Sequence, residues 1–86
     1  MLFRSIEWAE HGIRVNAIAP GTTETPSRKA SFDADPKRRQ TLIEHIPFKR
    51  FCTEADVAGA ASYLASPAAD YVTGQTLLVD GGLTSY

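Results

Sequence analysis

The stretch IRVNAIA, residues 13–19, followed at once by Pro20-Gly21, decides the fold class. It is short, mostly apolar and rich in β-branched side chains, without clean alternation, as expected of a strand covered on both faces in a parallel sheet. Pro20 has no N–H to donate to a ladder and Gly21 permits a sharp exit, so the strand ends there. A second stretch of the same kind, TLLV at 76–79, lies between Gly74 and the turn Asp80-Gly81-Gly82. Helix-forming sequence runs between the two. Two apolar strands joined through a helix make a right-handed βαβ unit with parallel pairing.

Upstream of the first strand, Leu2, Phe3, Ile6 and Ala9 fall at helical spacing with Arg4, Glu7 and Glu10 between them. This predicts an amphipathic helix that stops near Gly12. No N-cap precedes it, as if the chain began inside a longer helix. Downstream, residues 22–32 are polar and interrupted by Pro26, which predicts a loop with a short helical turn. Asp35-Pro36 pairs an N-cap acid with proline at the first helical position and predicts a helix through Lys37 to about His45. Leu42, Ile43 and Ile46 form its apolar edge, and residues 46–51 are a connection.

Thr53 with Asp56 three residues later predicts a capping box, and the helix after it runs to about Ala65. Small residues dominate that helix, which suits close packing on a sheet. Ser66-Pro67 opens a single turn to Asp70, and residues 83–86 are a tail. Two parallel strands need cover on both faces, and these helices supply only part of it. At ~25 cal/mol per Å2, a few hundred Å2 of uncovered surface forfeits several kcal/mol, comparable with the whole stability of a small domain. The pattern is that of the edge of a larger α/β sheet.

The 86 residues carry nine basic and ten acidic side chains, for a net charge of -1. That balance gives no reason to expect nucleic acid or an anionic membrane as a partner. Lys37-Arg38-Arg39 is flanked by Asp33, Asp35 and Glu44 and reads as a solvated helix face rather than a binding patch. Cys52 is the only cysteine, so no internal disulfide forms, which fits a reducing compartment. Its expected role is that of a small apolar residue. No apolar run approaches the ~20 residues that cross a bilayer. The charged N-terminal stretch is not a signal peptide, so a cytoplasmic location is expected. His11 and His45 have no partners at ligand spacing, and no metal site is expected.

Three stretches, HGIRVNAIAPGTTETP (11–26), IPFKRFCTEADVAGAASYLAS (46–66) and YVTGQTLLVDGG (71–82), together resemble the C-terminal part of the short-chain dehydrogenases/reductases. The last of them resembles the family's sugar and polyol dehydrogenases. The resemblance covers nearly the whole chain and keeps the family's order and spacing. It implies that residues 1–86 are the C-terminal segment of a partial Rossmann-type dinucleotide-binding domain, an α/β fold with a doubly wound parallel sheet. It further implies a nicotinamide cofactor, NAD or NADP, and an alcohol/ketone substrate, in a homo-oligomer.

The resemblance also implies a binding loop at the C-terminal end of the first strand, where ligands of parallel sheets bind. Pro20 would set the direction of the chain, and Gly21 would let the backbone approach the flat nicotinamide ring. The Thr23 backbone would pair with the carboxamide. The Thr25 hydroxyl would bond the carboxamide or a phosphate oxygen. The family usually has Val or Ile where this chain has Thr23, which keeps the backbone role but weakens an apolar wall. Residues 24–45 match a substrate lid, in which Glu24, Arg28 and Lys29 either touch a polar substrate or stay solvated. Asn16 is read as bonding backbone, and Asp80 as a turn-former, with a packing role open because the family places this end near the active site or subunit interface.

Two features of the family are not in this sequence. There is no TGxxxGxG turn for the pyrophosphate, and no Tyr is followed four residues later by Lys: Tyr63 meets Pro67, Tyr71 meets Gln75 and Tyr86 is last. No catalytic residue is therefore assigned. Two readings follow. One is a C-terminal fragment of an NAD(P)-dependent oxidoreductase, inactive alone. The other is a non-catalytic interaction module that pairs with itself or with a full-length relative.

Overall fold

A computed structural model describes residues 3–85. Met1, Leu2 and Tyr86, and with them the expected apolar contact of Leu2, lie outside the described residues. The elements are α1 (Phe3–Ala9), β1 (Ala17–Pro20), α2 (Pro26–Asp33), α3 (Pro36–Glu44), α4 (Glu54–Ala65), a 3-10 turn (Pro67–Ala69) and β2 (Thr76–Val79). The strands pair in parallel, Ala17 opposite Thr76 through Pro20 opposite Val79, and α4 packs on both. The expected βαβ pairing is therefore present, with β2 at the predicted residues.

The first strand is shorter than residues 13–19. Residues 13–16 do run beside 72–75, but side chains replace part of the ladder. The Val15 N–H donates to Thr73 Oγ1 at 3.1 Å, and the Gly74 N–H donates to the Val15 carbonyl at 2.8 Å. Asn16 Nδ2 donates to the Val72 carbonyl at 3.0 Å, and its Oδ1 accepts from the Gln75 N–H at 3.1 Å. Asn16 thus bonds backbone, as expected, and zips the entrance of β1 to the segment before β2. Neither strand is covered on both faces: β1 is half-buried up to an exposed Pro20, and Leu78 of β2 is 57% exposed.

Residues 26–33 form a full helix instead of a loop. Thr25 is its N-cap and Pro26 its first residue, the same pairing that Asp35-Pro36 uses for α3. Helix α4 begins with the predicted capping box, the Asp56 N–H donating to Thr53 Oγ1 and the Thr53 N–H donating to the Asp56 carboxylate. Helix α1 ends before Gly12, which has φ +73°. Its expected apolar edge is not buried: Ile6 is 73% exposed.

The hydrophobic core is small and lies under α2 and α3 rather than between sheet and helix. Phe32, Ile46 and Phe51 form it, with Leu42, Ile43 and Leu83 packed around them. The radius of gyration is 16.0 Å with extents of 50 × 27 × 21 Å, against about 12 Å for a compact domain of this length. Among the described residues no helix is long and apolar enough to cross a membrane.

Candidate functional site

The site is assembled where β1 ends. The Ala17 N–H donates to the Gln75 carbonyl (2.9 Å) and the Gly21 N–H to the Val79 carbonyl (3.0 Å). Odd-numbered residues of β1 therefore face β2, while Ile18 and Pro20 point to the opposite, unpaired edge. Pro20 closes the strand without removing a bond to β2. Gly21 is required by close approach: a Cβ there would stand 3.0 Å from both Cα and Cβ of Asp80. That contact lies within the chain, and is separate from the ring contact expected of Gly21.

Thr23 forms a parallel bridge with Cys52. The Cys52 N–H donates to the Thr22 carbonyl and the Glu24 N–H donates to the Cys52 carbonyl, both at 2.9 Å. In this geometry the flanking residues make the bonds and the central residue turns its own groups to the other side. Among the described residues nothing bonds the Thr23 N–H or carbonyl. The Thr23 hydroxyl donates to the Gly21 carbonyl at 3.0 Å and so braces the loop. Thr25 Oγ1 accepts from the Arg28 N–H at 3.4 Å as the cap of α2. Its hydroxyl also lies 3.4 Å from Ser27 Oγ.

Pro20, Gly21, Thr23 and Thr25 thus line one continuous loop. Its partners on the far side, Phe51 and Cys52, have no signal in the sequence near the loop itself. Phe51 stacks on Phe32 with ring centroids 4.7 Å apart. Cys52 is buried, as expected, and its thiol donates to the Thr53 carbonyl at 3.5 Å. Glu24 is not solvated alone: its carboxylate pairs with Arg39 at 3.7 Å. Lys29 pairs with Asp33 at 3.0 Å on an exposed helix face.

A half-open cavity of about 440 Å3 adjoins this seam, lined in part by Arg50, Cys52, Asp56 and Asp80. Its charges are already engaged. The Arg50 guanidinium, with the Thr53 N–H, holds the Asp56 carboxyl well below the usual carboxylate range. The Thr84 hydroxyl and the Gly82 N–H lower Asp80 as it closes its turn, the role expected of it. Among the described residues no three His, Cys, Asp or Glu side chains converge as metal ligands. Tyr63 and Tyr71 are exposed on other parts of the surface. The site therefore offers backbone donors and acceptors at a strand end.

A family profile described as "Enoyl-(Acyl carrier protein) reductase" matches residues 3–84. The chain is 51% identical over 82 residues to 3beta-hydroxysteroid dehydrogenase 1 of Eggerthella lenta, an alignment covering 95% of this chain and 31% of that protein. It superposes with a TM-score of 0.88 and 48% identity on an Agrobacterium tumefaciens protein solved with bound NADP and assigned as a 2-deoxy-d-gluconate 3-dehydrogenase, covering 98% of this chain and 34% of that one. An oxidoreductase of the short chain dehydrogenase/reductase family from Burkholderia thailandensis superposes equally well, at 0.88 with 39% identity, covering 95% and 32%. The chain spans about a third of the length of these relatives. The parallel strand pair, the strand-end loop and these similarities place the chain in the short-chain dehydrogenase/reductase family.

Proposed function

We propose that this chain supplies the nicotinamide-side loop of an NAD(P)-dependent oxidoreductase that moves hydride between nicotinamide and an alcohol/ketone pair. The observation that carries this reading is the outward-turned N–H and carbonyl of Thr23, a donor and an acceptor side by side that match a primary carboxamide. The dinucleotide, when bound, supplies the hydride donor or acceptor. The chain's own residues bind and orient: Thr23 holds the amide, Thr25 offers its hydroxyl proton while its oxygen caps α2, and Gly21 keeps the loop close to the end of β2. The proton that accompanies hydride transfer needs an acid of suitable pKa within hydrogen-bond reach. Among the described residues no tyrosine stands at this loop, and on this reading the chain binds without turning over substrate alone.

Titration of the 15N-labelled chain with NADH and with NADPH tests this. Amide shifts confined to residues 21–25 are expected. No shifts there at concentrations on the order of 10 mM, a limit of about 3 kcal/mol of binding, overturn the reading. Turnover of any ketone by the chain alone overturns its incompleteness.

A second reading, an interaction module that pairs with itself or with a longer relative, is favoured by the unpaired outer edge at Ile18 and the exposed Leu78. Unpaired strand edges template pairing with another chain. A defined dimer in sedimentation, without nucleotide-dependent shifts, would select it.

A further inference from the structure

We propose that Arg39 is a positioning residue for the ligand loop: from α3 it clamps the Thr23–Cys52 bridge by holding the residue next to each member. Its Nη2 lies 3.7 Å from Glu24 Oε1, and its guanidinium carbon sits 5.4 Å from the centroid of the Phe51 ring. Glu24 follows Thr23 and Phe51 precedes Cys52, so one side chain grips both segments of the bridge. The grip continues through the core. Phe51 stacks on Phe32, and the Arg38 guanidinium carbon lies 5.9 Å from the Phe32 ring. Each phenylalanine of the stacked pair thus has an arginine beside it, and the arginine nearer the loop is also ion-paired.

The bridge needs such a clamp because its own support is thin. It is a single bridge outside both strands, held by the Cys52 and Glu24 N–H groups. Isolated pairs of this kind open far more readily than ladders. When it opens, the Thr23 N–H and carbonyl lose their fixed direction. A planar guanidinium suits the task, since it can stack on a ring and bond a carboxylate together. The clamp is a property of the free chain; its meaning for nicotinamide binding rests on the reading above.

Backbone amide exchange in the 15N-labelled full chain tests the clamp without nucleotide. In Arg39→Ala the Cys52 and Glu24 amides are expected to exchange about tenfold faster, while amides of α4 keep their rates. Arg39→Lys, which keeps the charge but not the planar guanidinium, is expected to restore part of the protection. Glu24→Gln keeps the ring contact and is expected to give an intermediate rate, and it serves as the test should Arg39→Ala lose its fold. Unchanged rates at Cys52 and Glu24 in the folded variants overturn the clamp. Nucleotide titration of the unmodified chain is read separately: absent binding there sinks the nicotinamide reading and leaves the exchange result standing.

Discussion

Gly21 and Asp80 meet across the ends of the two parallel strands so closely that a single added methyl at residue 21 would stand 3.0 Å from the Asp80 Cα and Cβ. The loop that leaves β1 is thereby seated against the turn that leaves β2. That turn is braced by Asp80, which accepts from the Gly82 N–H, the Thr84 N–H and the Thr84 hydroxyl.

Gly21→Ala is therefore expected to lower stability by about 1–3 kcal/mol, the cost of forcing a backbone to yield to an extra methyl. Urea unfolding followed by far-UV circular dichroism measures it. A midpoint equal to that of the unmodified chain would show that the two turns can part freely.

Thr23 separates a backbone role from a side-chain role. Thr23→Val removes the hydroxyl bond to Gly21 and leaves the outward N–H, so nucleotide-induced shifts at residues 22 and 24 are expected to persist. Thr23→Pro removes that N–H, which the bridge itself does not use, and is expected to weaken binding at least about tenfold, or ~1.4 kcal/mol. Equal affinities in the two variants would put the contact elsewhere.

Asn16 serves Val72 and Gln75 with one amide group. Asn16→Ala strands the partly buried Val72 carbonyl, at a cost of about 1–3 kcal/mol, and leaves the exposed Gln75 N–H to water. The chemical-denaturation midpoint reports it. A neutral result would mean that water replaces both bonds.

Acid stability depends on Asp56. Its folded-state pKa is depressed by Arg50 and Thr53, so its contribution is complete above the unfolded value, near pH 4, and is lost as pH falls through the lower folded value. The thermal midpoint of Asp56→Asn is expected to lie below that of the unmodified chain at pH 7 and to converge with it towards pH 2. A gap that stays constant with pH would remove Asp56 from the acid transition.

What the sequence settled by itself was local. Asp35-Pro36, Thr53 with Asp56, Gly12 and Asp80 each satisfy or redirect backbone groups within a few residues, so their helix caps and turns could be read directly. The two apolar strands, with a small-residue helix between them, were enough for a parallel pair, because that pattern buries its apolar surface in few other ways. Thr25-Pro26 carried the same cap signal as Asp35-Pro36, yet the polarity of residues 22–32 masked the helix that follows it.

Tertiary structure alone decided the rest. Whether residues 13–16 join a ladder depended on the side chains of Asn16 and Thr73 meeting backbone far along the chain. The direction of the Thr23 backbone depended on Cys52, and the fate of Glu24 on Arg39. Ile6 stayed exposed because no other element packs on α1 among the described residues. These outcomes follow from which distant segments come together, and spacing along a single segment carries no record of that.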